Sequence, residues 1–505
     1  MVKAVGARSH MAGNGRVFSE MGIIDTALFA SATPTTLGVG FHNVGSGVLR
    51  ASNEMMVKQV EHHYGERCGH LPYDSNNIRV LVDQHTTDLR TQMDYLSRLF
   101  GKAIVPQTLE ELRAEKERTG GSAPLVVPYI NVPETETFML DALEAQPWGI
   151  PGKMTHALKN KANFYQLADE FDLEGFRPPD YTVSTIFDLT RAVAAFLAGV
   201  EELYTQTDLS QAYPLGVMLR AAESDGNYGC CLLYENHNGI VLIPNGDAEH
   251  AQYYDQWQEA LARSQEHLAA TMNPQKEARI VISRYIDFAD SPGMSVVIME
   301  DQVESLGWNG QLQKDGSKAC VGTSTYLPKN PHLQRMQQQY EAQTAAFFEM
   351  FLRKTAHKCG INFASIRGVA NIDIMIPGEL EQSLQRRRKQ PASNYLAECN
   401  PRWTNYTDAI MAVLGANRKA QTISNMRAVI QAGICTYDKH PLPEKVDPHI
   451  VRTCLAERDD ILKRDGTRII CRMAKNPMGL IFAGDTKQAQ EEVHDILARL
   501  SSKGA

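Results

Sequence analysis

Two apolar runs that each carry one carboxylate in their middle constrain this chain more than any other feature. They are Val369-Ala-Asn-Ile-Asp373-Ile-Met-Ile and Tyr395-Leu-Ala-Glu398-Cys-Asn400-Pro-Arg402. Their apolar and β-branched content predicts strands. Residues two apart on a strand share a face. Glu398 and Asn400 therefore look the same way, and Asp373 joins them if the two strands pair. A carboxylate inside an apolar strand is costly to bury unless it is paired or bound to a cation. Two carboxylates and an amide oxygen on one sheet face suit Mg²⁺, which takes oxygen ligands at about 2.1 Å and commonly works with substrate phosphates. The plainer alternative is that each carboxylate lies on a solvated sheet face. Arg402, two further along, is expected on the same side, where its planar fork suits phosphate or carboxylate.

A chain of 505 residues has room for two to four domains, at roughly 100–200 residues each. With 43% hydrophobic and 22% charged residues, the composition is that of an ordinary globular protein rather than a disordered one. No uninterrupted apolar stretch approaches the roughly 18 residues of a membrane-spanning helix, so no membrane association is expected. Residues 21–31 have the look of a secretory apolar segment, but Glu20 and Asp25 interrupt it, and a cytoplasmic location is expected. The net charge of −8 speaks against nucleic-acid binding, which needs a basic face. The nine cysteines are odd in number and contain no C-x-x-C pair, which fits free thiols in a reducing compartment. Cys399 alternates with the proposed ligands and is read as a small core residue.

Residues 1–76 carry a predicted helix at Asn53–Tyr64 and otherwise no assigned role. From Asn77 strands and helices alternate: strands at Asn77–Asp83, Lys102–Pro106 and Pro124–Ile130, helices at Thr86–Phe100, Leu109–Arg118 and Glu134–Ala145. Such alternation predicts an α/β domain with a mostly parallel sheet over 77–155. It lacks G-x-G-x-x-G at its first strand-to-helix turn, so no dinucleotide site is expected there. A second domain is expected over 156–435, with helices at Ala157–Phe171 and about Ile186–Ala198 and strands Gly216–Arg220 and Gly229–Tyr234 around a loop. The strands Ile280–Ile286 and Ser295–Glu300, a long helix Leu333–Cys359 and the two carboxylate strands follow. A small ββα domain over 436–505 closes the chain.

Three further motifs could carry chemistry. The loop Glu223-Ser224-Asp225-Gly226-Asn227-Tyr228-Gly229 can aim backbone N–H groups at phosphate oxygens, or be a plain hairpin turn. Arg220, at the end of the strand before it, would add a positive charge. Lys161 opens a helix, where the dipole disfavours a cation. A bound polyanion would compensate, although a solvated lysine is the simpler reading. Arg386-Arg-Arg-Lys389 reads as a basic loop between the two carboxylate strands, either solvated or closing over an anionic substrate.

Taken in order, these motifs resemble those of the ATP-grasp ligases, and more narrowly the pheganomycin-type peptide ligases with a pre-ATP-grasp domain. Lys161 stands six residues before Leu167 of a helix similar to one in that group. Ser224-Asp-Gly226-Asn227 resembles its Ser-Gly-x-Gly-Asn loop. Ser291-Pro292, Gln311 and Gly322-Thr-Ser-Thr-Tyr-Leu-Pro echo its middle region, and Glu398-Cys-Asn400-Pro-Arg402 its Glu-x-Asn-x-Arg. Gly479-Leu-Ile-Phe-Ala-Gly resembles its closing domain. The likeness runs in patches over about 77–500. Two departures stand out: Arg220 replaces a lysine, and the adenine hinge Ser283-Arg284-Tyr285-Ile286 lacks the usual leading acid.

The resemblance implies an α/β (α+β) protein: a pre-ATP-grasp domain, an ATP-grasp fold with a lid at about 215–285, and the ββα appendix. It implies a ligase that activates a carboxylate with ATP as an acylphosphate and passes it to an amine, with ADP and phosphate as products, in specialised metabolism. Asp373, Glu398 and Asn400 would hold one or two Mg²⁺, with Mn²⁺ as an alternative. Lys161 and Arg220 would neutralise phosphates, Ser224, Gly226, Asn227 and Gly229 would cover the triphosphate, and Ser283–Ile286 would hold adenine. Arg402 and Arg220 would act in catalysis, Arg402 by binding the carboxylate and stabilising the charge on the acylphosphate. The partners implied are a small carboxylic or amino acid and an amine, amino-acid or peptide acceptor, with a carrier protein as another acceptor and a homodimer as the assembly. An ATP-binding regulatory protein without turnover is the alternative from another class.

Overall fold

In a computed structural model, residues 28, 37–41, 71, 72, 75, 77–118, 120, 123–172, 176, 178–224, 229–299, 301–313 and 320–503 are described. The expected helix Asn53–Tyr64 and the loop residues Gly226 and Asn227 lie outside them. The described residues form a mixed α/β protein built on three sheets.

The first sheet is parallel, in the order β3-β2-β1-β4, with β1 Leu37–Phe41, β2 Asn77–Leu81, β3 Ile104–Gln107 and β4 Leu125–Pro128. Helices Thr87–Phe100, Leu109–Arg118 and Pro133–Leu143 alternate with the strands. The first of them starts because Thr86 accepts the Leu89 N–H and stops because Gly101 turns left-handed at φ 68°. Strand β1 comes from the stretch before residue 77, to which no role was assigned from the sequence. The order reverses at β1, the kind of switch point at which open parallel sheets bind ligands at the carboxyl ends of their strands. Tyr129, just past β4, gives its N–H to Phe41 O at 2.8 Å and accepts the Trp403 N–H at 3.2 Å. Trp148 stacks on Trp403 at 5.3 Å. This parallel sheet is thereby seated against the segment that follows Glu398 and Asn400.

The second sheet is antiparallel, in the order β5-β10-β6-β7-β8-β9, with β5 Tyr181–Thr185, β6 Gly216–Ala221, β7 Cys230–Asn236, β8 Gly239–Pro244, β9 Gln252–Tyr254 and β10 Arg279–Arg284. It begins at Tyr181, ahead of the boundary at about 215 expected for a lid. Helices Leu189–Gln206 and Trp257–Thr271 cover it, burying Leu189, Val193, Leu219, Leu233, Leu268 and Ile280 together.

The third sheet has nine strands: β11 Phe288–Asp290, β12 Gly293–Met299, β13 Gln302–Gln313, β14 Cys320–Thr325, β15 Gly368–Pro377, β16 Tyr395–Asn400, β17 Ile434–His440, β18 Arg468–Met473 and β19 Met478–Ala483. Its order is β11-β15-β12-β13-β14-β17-β19-β18, with β16 on β15. The long helix Pro331–Lys358 packs Phe347, Phe348 and Phe351 against Met294, Val296 and Ile372 of this sheet. The terminal strands and helix Thr486–Lys503 form the expected ββα unit, and its strands extend the third sheet through β17.

The sequence predicts a single helix over Ala157–Phe171, whereas the structure has two, Gly152–Lys159 and Lys161–Glu170. Asn160 breaks them. Its backbone is extended at ψ 113°, and its side chain accepts the Asn163 N–H, capping the second helix. Arg386–Lys389 is not a free loop: helix Glu379–Arg387 runs into it. Arg387 bonds the carbonyls of Thr207 and Asp208, and Arg388 pairs with Asp180 at 2.7 Å. Among the described residues no helix is long and apolar enough to cross a membrane.

Candidate functional site

Strands β15 and β16 are antiparallel neighbours, with Asp373 opposite Glu398 and Asn371 opposite Asn400. One step further the register shifts, so that Ile374 faces Leu396 and Ala397 is an extra residue. Such a bulge re-aims side chains and frees backbone groups beside a site. Here the freed Ala397 carbonyl accepts Arg220 Nη1 at 3.1 Å. The other terminal nitrogen of Arg220 bonds the Tyr165 hydroxyl, and its guanidinium lies 5.1 Å from the Tyr165 ring centre. Among the described residues, the buried Arg220 Nε has no hydrogen-bond partner.

Lys161, the first residue of its helix, is 3% exposed. Its Nζ donates to the Ser224 carbonyl at 2.7 Å and to Ser224 Oγ at 3.2 Å, and lies 3.2 Å from Glu398 Oε2. Ser224 Oγ in turn donates to the Ala221 carbonyl at 3.1 Å. Gly229 closes the far side of the loop at φ 73°, in the left-handed region that glycine accepts readily. Its N–H bonds Asn245 Oδ1 at 3.2 Å, an oxygen that also meets His267 Nε2 at 3.0 Å.

Asp373 is held by amides. Asn371 Nδ2 donates to its Oδ1 at 2.8 Å and Asn400 Nδ2 to its Oδ2 at 3.1 Å. Behind Asn371 stand Asn309 at 2.9 Å and Ser295 at 3.0 Å, all three buried. Asn400 Oδ1 accepts Arg402 Nη2 at 3.0 Å, while Arg402 Nη1 donates to the Tyr129 hydroxyl at 3.3 Å. Burial and the facing Glu398 raise Asp373 to about 7. Burial also pushes Glu398 upward, but the charges of Lys161 and Arg220 outweigh it and hold that carboxyl below its ordinary range.

A hard divalent cation fits this donor set: every candidate atom is oxygen, and the two facing carboxylates repel until a positive charge lies between them. Among the described residues no three His, Cys, Asp or Glu side chains gather as a metal cluster. The third donor would have to be an amide, as Asn400 is. Cys399 faces the apolar core at 2% exposure.

In the expected hinge, the Arg284 side chain is engaged within the protein. Its fork meets Glu381 with two bonds of 2.7 Å, and its Nε meets Asp180 at 3.0 Å. A fully buried guanidinium needs such partners to offset its lost hydration. Among the described residues, the Ile286 N–H makes no hydrogen bond. Ser283 is buried in the ladder, opposite Met218, and Tyr285 lies 5.8 Å from the Tyr234 ring.

Sequence reasoning missed Asn371, Asn309 and Ser295. Asn371 was legible, since it stands two before Asp373 on the same strand. Asn309 was not, because β13 went unrecognised behind its Gly- and Gln-containing sequence. Glu381 was hidden because no helix was expected between the two carboxylate strands, where the structure has Glu379–Arg387.

No family model matches the chain, and no curated protein matches it. Among solved structures, it is similar to the ADP complex of N5-carboxyaminoimidazole ribonucleotide synthetase at 11% identity, with 94% of this chain and 98% of that one covered and a TM-score of 0.49. It is similar to biotin carboxylase from Campylobacter jejuni at 10% identity, with 91% and 89% covered and a TM-score of 0.48. A further likeness is to D-alanyl-alanine synthetase A from Vibrio cholerae, at 11% identity, with 79% and 98% covered and a TM-score of 0.39. Likenesses of this grade assign neither substrate nor reaction to this chain.

Proposed function

We propose that this protein is an ATP-dependent carboxylate–amine ligase of the ATP-grasp kind. The observation that carries the reading is the meeting of Lys161, Arg220 and Arg402 around the facing pair Asp373 and Glu398. Three cations and two carboxylates gathered in one cluster are what a polyphosphate with a divalent ion would need on its two sides. The patchwise likeness to the pheganomycin-type peptide ligases supports the narrower reading of an acid joined to an amine, amino acid or peptide in specialised metabolism.

In this reading the protein positions and neutralises, and no nucleophilic side chain takes part. The backbone of Ser283–Ile286 would meet adenine. Lys161, already turned to the Ser224 carbonyl, would keep the loop base and a phosphate together. Arg220 would neutralise charge where the phosphoryl group leaves the nucleotide. Arg402 would orient the acid substrate, its fork steadied by the Tyr129 hydroxyl. Asp373, Glu398 and Asn400 would hold Mg²⁺, or Mn²⁺ in its place, and the ion would supply charge neutralisation for the phosphates. The acid oxygen attacks the γ-phosphorus, ADP leaves, and the amine then displaces phosphate from the acylphosphate. Exclusion of water protects that intermediate.

The test is product analysis with candidate acids and amines. Release of ADP and phosphate that depends on both substrates is expected. AMP and pyrophosphate as products would reject this chemistry. Tight nucleotide binding without turnover across a broad panel would favour a regulatory ATP-binding protein instead.

A further inference from the structure

Glu381 is wholly buried in helix Glu379–Arg387, and it is the hub of a polar cluster. Its Oε1 accepts Arg284 Nη2 at 2.7 Å and the Tyr395 hydroxyl at 2.5 Å. Its Oε2 accepts Arg284 Nη1 at 2.7 Å and the Tyr213 hydroxyl. Tyr213 also accepts the Asp287 N–H at 2.7 Å. Asp287 is tied back to the same helix: its carbonyl accepts the Gly378 N–H and its carboxylate the Leu380 N–H, both at 2.9 Å. A side chain at Gly378 would bring a Cβ within 2.3 Å of Asp287 Oδ2, so the approach of the two segments needs glycine there. Asp180, just ahead of β5, closes the cluster by bonding Arg284 and Arg388.

Three segments therefore converge on one carboxylate. Arg284 ends β10 and lies in the hinge, Tyr213 precedes β6, and Tyr395 opens β16, three residues before Glu398. A buried ion pair is a poor source of stability, because desolvating both ions offsets most of their attraction, and well-packed apolar residues commonly do as well. Its better-attested use is to fix one register among several. The register at stake here is that of the hinge against the strand that carries Glu398 and Asn400.

We infer that Glu381, acting through Arg284 and Tyr395, is a positioning residue that sets the hinge Ser283–Ile286 relative to the carboxylate-bearing strand β16, and so matches the protein to the length of a nucleoside triphosphate. The inference rests on the ATP-ligase reading. It concerns the base-binding end of the nucleotide and leaves the phosphate end to Lys161 and Arg220.

Two ligands separate these ends. ATP spans both, whereas inorganic tripolyphosphate with Mg²⁺ engages only the phosphate end. The variants are Glu381→Gln, which keeps the shape but removes the charge, and Arg284→Met with Glu381→Leu, which replaces the pair by apolar side chains should the single variant not fold. In the folded variant the Kd for ATP should rise about tenfold or more, with the tripolyphosphate Kd within about twofold of the wild-type value. Parallel weakening of both ligands would reduce the cluster to a structural role and overturn the inference, as would unchanged ATP binding in the folded double variant. A wild-type protein that binds tripolyphosphate and ATP equally well would also overturn it. Absence of any ATP binding by the wild-type protein would overturn the ligase reading first, and this inference with it.

Discussion

Lys161 Nζ stands 3.2 Å from Glu398 Oε2 and 2.7 Å from the Ser224 carbonyl, joining the loop of one sheet to a strand of another. The contact ties together the helix start, the loop base and the carboxylate strand. It also explains why a lysine at a helix N-terminus is tolerated. The cation is not left to face the positive end of the dipole alone, because a carboxylate and a carbonyl take up its charge.

Glu398→Gln should abolish ligation while the protein stays folded. The amide is isosteric, so packing survives, but Lys161 loses its counter-charge and the facing pair loses a metal donor. A fall of at least about 100-fold in kcat is expected, on the scale of removing one electrostatic stabiliser from a site. Steady-state rates and a thermal melt on the same sample check it. A variant that turns over normally would remove Glu398 from the site.

Arg220 offers a test of geometry rather than charge alone. Its two terminal nitrogens reach the Ala397 carbonyl and the Tyr165 hydroxyl, a fork that an ammonium cannot reproduce. Arg220→Lys should therefore raise the KM for ATP clearly, and Arg220→Ala by about tenfold or more, as expected for a lost charge-assisted hydrogen bond. The KM for the acid should move less in both. Arg402→Ala should show the reverse split, with acid KM raised and ATP KM little changed. Initial-rate matrices in both substrates separate the two outcomes.

Asp373 gives the site a pH dependence with a definite sign. Its carboxyl is raised to about 7 by burial and Glu398, against about 3.9 in an unfolded chain. The folded state thus holds this proton more tightly. The stability this contributes is complete below about pH 4 and is lost as pH rises through 7. A divalent cation held there would bind the ionised form and relieve the repulsion. Mg²⁺ should therefore raise the melting temperature more at pH 8 than at pH 6, and the difference should vanish in Asp373→Asn. Equal shifts at both values would take Asp373 out of the metal site.

These residues differ in how far the sequence announces them. Asp373, Glu398 and Asn400 could be placed on one face because alternation is a local rule, and the antiparallel register puts Asp373 opposite Glu398. The extra residue at Ala397 could not be foreseen, since nothing in Leu-Ala-Glu distinguishes a bulge from a regular strand. The parallel sheet was legible from its alternating runs, except for β1, whose five residues Leu-Gly-Val-Gly-Phe carry little strand signal. Arg284 illustrates the harder limit. Its place in the expected adenine hinge is local, whereas only the fold reveals that its side chain is bonded to Glu381, 97 positions later.

Gly293 supplies a prediction that depends on packing alone. It lies on β12 opposite both Asp373 and Asn309. A Cβ built there would stand 2.6 Å from Asn309 Oδ1, 2.8 Å from Asn371 Oδ1 and 2.9 Å from Asn371 Nδ2. Those amides are buried and mutually bonded, so they have little freedom to retreat, and overpacking of this kind costs about 1–3 kcal/mol. Gly293→Ala should lower the melting temperature, and it should also weaken Mg²⁺ binding, because Asn371 is displaced from Asp373. The contrasting site is Gly199 in helix Leu189–Gln206, where a Cβ meets nothing within 4 Å. There alanine should stabilise by up to about 1 kcal/mol through its better helix propensity and leave Mg²⁺ binding untouched. Melts and metal titrations of the two variants side by side decide the matter. A Gly293→Ala protein that binds Mg²⁺ like the wild type would mean that the Asn309–Asn371 pair does not hold Asp373 in its working position.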